Sequence, residues 1–258
     1  MLTVVSPAKT LDYETELPKV KTSKARLLEQ SAPLVDVLRT KEPWELSKLM
    51  GISDELAVLN SNRYQQWKLP FRAPAARPAI YAFKGDVYAG LDAYALAEQD
   101  IQFAQGHLRI LSGLYGVLKP LDRILPYRLE MGTRLTVNGH ANLYQYWGNQ
   151  ITELIKKDLA RTRTKVLVNL ASQEYFKVVK SAQLKAKVVT PVFLDRKGGE
   201  YKMVSFWAKK ARGLMARFIL QNQLQEPGQL TEFDTDGYYF SGERSDEQKL
   251  VFLRDHPQ

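Results

Sequence analysis

LRILSGLYGVLKPLDRILPYRLEMG, residues 108–132, decides how the rest of the chain is read. It opens on Leu108-Arg109-Ile110-Leu111, a short apolar run with the look of a buried strand. It breaks at Ser112-Gly113, resumes briefly, and breaks again at Lys119-Pro120. Asp122, Arg123, Tyr127, Arg128 and Glu130 then follow in quick succession. A segment that only fills a core has no use for so many charged and aromatic groups beside its turns. The spacing predicts a strand end, a tight turn, and a return segment that lines a cleft with Tyr115, Lys119, Tyr127, Arg128 and Glu130.

Working outward, apolar runs at Leu2–Val5, Ala79–Phe83, Lys165–Leu170 and Lys249–Leu253 read as further strands. Residues 188–194 and 201–206 read as a hairpin around Lys197-Gly198-Gly199. Helical periodicity covers 23–39, with Ser23 as N-cap and a kink at Pro33. It also covers 43–49, 54–66, 93–107, 141–160, 172–180 and 208–222. Strands alternating with helices predict an α/β (mixed α+β) fold, and the late hairpin predicts a mixed rather than all-parallel sheet. No repeat or linker divides the chain. The Pro-rich stretch 70–78 is the one candidate boundary, so 1–258 is expected to form a single domain.

The chain has 258 residues and no cysteine, which excludes disulfides, thiolate catalysis and cysteine-ligated metals. His107, His140 and His256 are too scattered to suggest a metal cluster, so no metal and no cofactor is expected. The opening MLTVVSPAKTLDYE lacks the basic leader of a signal peptide, and no apolar run is long enough for a membrane span. A cytoplasmic location is expected. The net charge of +9 is unevenly placed. Residues 151–217 hold 16 Lys and Arg against 5 Asp and Glu, a net of +11, while the remainder holds 21 against 23. A basic region this concentrated is the footprint expected for a polyanion partner, although lysines often serve only to solvate a face.

Four predicted strands end in polar turns, at 6–10, 84–86, 112–116 and 169–172. Ligands of open α/β sheets bind outside the carboxyl ends of strands. If these ends converge, they gather Lys9, Lys84, Asp86, Ser112, Tyr115, Asn169 and Ser172 in one cleft. Candidate catalytic groups are Lys9, Lys84, Asp86, Ser112, Tyr115, Arg128 and Glu130, with a lysine as desolvated amine or Asp86 as base. No G-x-S-x-G elbow, Walker loop or G-x-G-x-x-G fingerprint occurs, so catalysis is permitted but not signalled.

The stretch 46–57, LSKLMGISDELA, resembles a helix-hairpin-helix motif, in which backbone N–H groups at the start of the second helix hold a DNA phosphate. It departs from that pattern: Ser53 replaces the second glycine, and Asp54 and Glu55 follow where phosphate favours neutral or basic residues. An ordinary capped pair of helices over 43–66 is the alternative. Residues 208–222 form a basic amphipathic helix with Lys209, Lys210, Arg212 and Arg217 on or near one side.

Longer stretches carry a family resemblance. SPAKTLDY (6–13), FKGDVY (83–88), HLRILSGLYGVLKPLD (107–122), PYRLEMG (126–132), LYQYWG (143–148), NLASQEYF (169–176), PVFLD (191–195) and AKKARGLMARFI (208–219) together resemble the bacterial YaaA family over nearly the whole chain. That family is linked to peroxide-stress resistance and lower intracellular free iron. The resemblance implies a DNA-binding protein with its own cantaloupe-like α/β fold, a positively charged cleft and a helix-hairpin-helix element. The residues expected at DNA are Lys48, Gly51, Ile52 and Ser53 of the hairpin, Lys9, Lys84, Arg109, Lys119 and Arg128 of the cleft, and Lys209, Lys210 and Arg212 of the basic helix. Few soft ligands are available for iron, so an effect on iron is expected to be indirect, through shielding or repair of DNA. The expected partner is duplex, distorted or unpaired DNA. The alternatives are an enzyme acting on a nucleobase, nucleotide or damaged nucleic acid, or an interaction module for a DNA-repair or stress-response protein.

Overall fold

The main sheet is built around a strand with no solvent side. In β1 (Leu2–Val5) all four residues are buried. It pairs in parallel with β2 (Leu108–Ser112) on one side and with β4 (Val166–Leu170) on the other. The uninterrupted apolar runs of these strands follow from that burial, because a central parallel strand is covered on both faces. The computed structural model describes residues 1–255; His256 lies outside them.

Eight strands complete the sheet. Beyond β2 lies β3 (Gly116–Leu118), and beyond β4 lie β5 (Lys187–Lys197), β8 (Lys249–Arg254) and β7 (Tyr239–Phe240). β6 (Glu200–Lys202) folds back on β5. The five strands β2, β1, β4, β5 and β8 run parallel. β3, β6 and β7 are antiparallel additions. The sheet is therefore mixed, as the alternation of elements and the 197–199 hairpin predicted.

The helices are α1 (Leu28–Arg39), α2 (Pro43–Met50), α3 (Asp54–Gln66), α4 (Asp86–Leu91), α5 (Glu98–His107), α6 (Leu143–Trp147), α7 (Gln150–Arg161), α8 (Gln173–Phe176) and α9 (Ser205–Gln221). One hydrophobic core runs through them and the sheet, from Met1 to Phe252.

Several boundaries differ from the sequence reading, each for a local reason. Ser23 is not a helix cap. Ser23-Lys24 pairs with Asp122-Arg123, and the Ser23 hydroxyl donates to Asp122 Oδ1 at 2.6 Å. The expected strand at 79–83 is a single helical turn, Ala79–Ala82, followed by Phe83-Lys84 paired with Thr10-Leu11. All of Ala79–Ala82 is buried, and a short run buried all round has no period to distinguish helix from strand. The expected helix at 141–160 splits into α6 and α7 at Gly148, whose φ is +48°. The second hairpin strand stops at Lys202 because α9 starts at Ser205.

Two glycines set the position of α9. A Cβ on Gly213 would lie 1.9 Å from the Val87 carbonyl oxygen, and one on Gly90 would lie 2.2 Å from that of Lys210. The backbones of α4 and α9 touch there, which only glycine allows. This contact brings the basic face of α9 to the sheet edge where β1 and β4 end.

Candidate functional site

Because β1 and β4 are parallel neighbours, their carboxyl ends open on the same edge, the usual place for a ligand in such sheets. The two ends are tied together. The Ser172 N–H donates to Ser6 Oγ at 2.9 Å, and the Tyr88 hydroxyl donates to the Ser6 carbonyl at 3.1 Å. The Thr10–Lys84 pairing delivers Lys84 and Asp86 beside them. α9 contributes Lys209 and Arg212, which share a side at i, i+3. Together these enclose a cleft of about 460 Å³.

Four cations (Lys9, Lys84, Lys209, Arg212) and three carboxylates (Asp86, Glu130, Glu174) line this cleft. It is more evenly charged than the expected basic cleft, because much of the excess at 151–217 sits on exposed residues such as Lys157, Lys165 and Lys197. Lys9 Nζ lies 3.4 Å from Glu130 Oε1, and Arg128 meets the same oxygen at 3.0 Å. Glu130 Oε2 is buried and has no hydrogen-bond partner among the described residues. Glu174 accepts the Gly132 N–H at 2.9 Å. Lys84 approaches Asp12 at 3.8 Å. The backbone and side-chain hydrogen bonds from Thr15 hold the Asp12 carboxyl down at about 2. Arg212 makes no ion pair or hydrogen bond among the described residues, and its burial lowers its guanidinium pKa from the ordinary value.

Two more hollows continue from this one. The first, about 510 Å³, shares Thr10 and Lys84 with the cleft and adds Asp12, Tyr13, Arg63 and Gln66. The second, about 380 Å³, shares Gln66, Ala75 and Leu125 with the first and adds Lys68 and Arg72. The result is one groove with cations spaced along it.

The opening stretch, 108–132, is divided between core and groove. β2 ends at Ser112, and the chain turns back as β3, which carries Lys119 toward the far end of the sheet. There burial and then the cations Arg161, Arg109 and Arg26 lower the Lys119 pKa. The return segment then climbs to the cleft. A Cβ on Gly113 would meet the Leu129 carbonyl oxygen at 2.2 Å, so Gly113 lets residues 127–130 lie directly on the turn. That contact delivers Arg128 and Glu130 to the cleft and seals the turn beneath Tyr127.

Several expected site residues are therefore corrected. Ser112 is fully buried, 2.6 Å from the Tyr127 hydroxyl. Tyr115 is also fully buried; it accepts from Trp67 Nε1 at 3.0 Å and donates to the Leu125 carbonyl at 3.1 Å. Arg109 is buried, with Nε 2.6 Å from Asp158 Oδ2, in an ion cluster that Arg26 completes at 2.9 Å. Asn169 is buried and caps its own turn by accepting the Ala171 N–H. Lys210 points elsewhere and pairs with Asp236 at 3.4 Å, being one residue off the Lys209–Arg212 side. The hairpin forms as two helices joined through Gly51, φ +59°, with Ser53 accepting the Leu56 N–H. Yet Lys48, Gly51, Ile52 and Ser53 do not line the groove. α3 meets the groove at Arg63 and Gln66, and its start lies about 18 Å along the axis from Gln66. Lys9, Lys84, Asp86, Arg128, Glu130, Lys209 and Arg212 do come together, the last two through α9. The sequence reading assigned no role to Asp12, Arg63, Gln66 or Glu174. Asp12 stands inside the SPAKTLDY stretch and Glu174 inside NLASQEYF; Arg63 and Gln66 have no local signal.

A family model described as peroxide stress protein YaaA matches residues 1–244. The chain belongs to the YaaA family. A UPF0246 protein of Hahella chejuensis is 59% identical over 256 residues, covering 99% of this chain and 100% of its own length. UPF0246 proteins of Idiomarina loihiensis and Aliivibrio fischeri (strain MJ11) are 55% and 54% identical, each over 98% of its own length and 98% and 99% of this chain. The family is described by peroxide stress, and membership is consistent with an oxidative-stress role. It also shows that the residues lining the cleft belong to the matched region.

Proposed function

We propose that this YaaA-family chain serves the peroxide-stress response by binding DNA in the cytoplasm, largely without sequence preference, and so shields DNA or aids its repair. The observation that carries this reading is the groove. Lys209 and Arg212, then Lys9 and Lys84, then Arg63, then Lys68 and Arg72 follow one another along three connected hollows. Cations in series suit a phosphate backbone, and contacts to phosphate carry no sequence information. Most of the interspersed carboxylates are occupied. Glu130 is bound to Lys9 and Arg128, Glu174 to a backbone N–H, and Asp12 to Thr15 and Arg77. Arg212 keeps its guanidinium free for an anion. The Gly51–Ser53 hairpin is a second, separate backbone contact, weakened by Asp54 and Glu55.

Lowered free iron follows from this role indirectly; stoichiometric, tight binding of ferrous iron by the purified protein would contradict that. The binding claim is tested by titrating fluorescent duplexes of permuted sequence at rising salt. Affinity should fall steeply and linearly on a log–log plot, with little change between sequences. Affinity indifferent to salt would sink the reading.

One observation favours a second reading, an enzyme acting on a nucleobase, nucleotide or damaged nucleic acid. Glu130 keeps Oε2 buried without a hydrogen-bond partner among the described residues, beside the amine of Lys9 and near Asp86. A carboxylate with one unpartnered oxygen beside a lysine amine has the groups for a proton transfer once a ligand opens access to it. Product formed from lesion- or bubble-containing DNA, and lost in Glu130→Gln, would support it. Intact DNA after long incubation would remove it.

A further inference from the structure

The hollow next to the cleft differs from it in chemistry. Its volume, about 510 Å³, falls in the range of roughly 300–1,000 Å³ typical of small-molecule sites. Leu11, Leu125 and Pro126 give it apolar walls. Tyr13 adds an aromatic ring whose hydroxyl already donates to the Ile124 carbonyl at 2.8 Å and one of whose faces carries the Arg77 guanidinium, 5.8 Å from the centroid, so the group left for a ligand is the ring's other face. Gln66, Arg63 and the exposed Glu14 supply polar side chains that are unengaged or nearly so among the described residues. Gln66 is exposed and its amide makes no hydrogen bond among the described residues. Arg63 is half-buried and, among the described residues, has no carboxylate partner and makes one hydrogen bond, to Asn60 Oδ1 at 3.3 Å. Burial lowers its guanidinium pKa from the ordinary value.

These features suit a flat ring with a polar edge better than a bare phosphate. Apolar walls and an aromatic face receive the ring by stacking, a sequence-tolerant contact. A guanidinium and an amide receive carbonyl and ring-nitrogen groups along its edge. The ridge between the hollow and the cleft is the Thr10–Lys84 pairing, and both residues line both spaces. A strand crossing that ridge would keep its phosphate at Lys84 while its base turns into the hollow.

We infer that the hollow formed by Tyr13, Arg63 and Gln66 is a nucleobase pocket, which takes an unpaired base turned out of a DNA strand whose phosphates lie along the cleft. The inference rests on the DNA-binding reading above and adds the substrate feature that reading lacks. Extruding a base is least costly where the base is already unpaired. DNA with a bubble or a single extra base is therefore the preferred form.

Photo-crosslinking tests the pocket. A duplex carrying one unpaired 5-iodouracil is bound to the full chain, irradiated, and mapped by mass spectrometry, with the bound fraction measured in the same samples. The adduct should fall on Tyr13, the one aromatic residue of the tryptic peptide 10–19. Crosslink yield per bound complex should drop about fivefold in Gln66→Ala, the loss of one neutral hydrogen bond, and the exposed position makes misfolding no explanation. DNA retained with adducts elsewhere, or with none, would overturn the pocket while leaving DNA binding intact. DNA not retained at any salt would remove both.

Discussion

Lys209 and Lys210 are adjacent in sequence and differ in role. Lys209 lines the cleft beside Arg212, whereas Lys210 pairs with Asp236, which also receives Arg254 at 2.9 Å. Reversing the charge at Lys209 should weaken DNA binding, while Lys210→Glu should leave it nearly unchanged; affinity titrations of the two variants check this. Helical periodicity made the basic helix legible, but 100° of rotation per residue decides which lysine meets the ligand, and packing through Gly213 sets that rotation. Asp12 gives a pH-dependent expectation at the same scale. Its folded-state carboxyl is held at about 2, below the roughly 3.9 of an unfolded Asp. Its contribution is therefore complete above about pH 4 and is lost as pH falls toward about 2. The stability gap between the native chain and Asp12→Asn should close across that window in acid-unfolding curves. A gap constant with pH would show that the carboxylate is not what holds the Thr10–Thr15 turn.

Among elements, the contact of α4 with α9 is the one most exposed to failure. A methyl at Gly213 meets the Val87 carbonyl at 1.9 Å, so Gly213→Ala must push the helices apart. Overpacking of this kind costs about 1–3 kcal/mol. A lower denaturant midpoint is expected, together with weaker DNA binding because Lys209 and Arg212 leave the cleft. Gly228→Ala, with open space around the new methyl, is the matched control. The ion cluster of Arg26, Asp158 and Arg109 joins the chain before α1 to α7 and β2. Asp158→Ala strands the fully buried Arg109 and should cost about 3–5 kcal/mol in equilibrium unfolding. Arg109 was legible as a strand residue; its partner lies 49 positions away, which no local pattern reveals.

At the scale of the molecule, the parallel order β2-β1-β4 gathers strand ends that the sequence spreads over more than 160 residues. The alternation of strands and helices, the late hairpin and the polar strand ends were all readable, and they predicted the mixed sheet and much of the cleft. Two things were not. The Ser112–Gly113 turn was expected in the cleft but is roofed by its own return segment. The hollows beyond Lys84 depend on α3 meeting Leu125 and Pro126, a long-range packing event without a sequence signature. On the proposed function, the groove at the strand ends holds the DNA backbone. The most direct test compares the salt dependence of duplex binding for the native chain and for Lys209→Gln with Arg212→Gln. The double variant should bind more weakly to every sequence, and its log–log salt slope should shrink by about 2, one for each lost phosphate contact. An unchanged slope would contradict phosphate binding in the groove and place the DNA on another face of the protein.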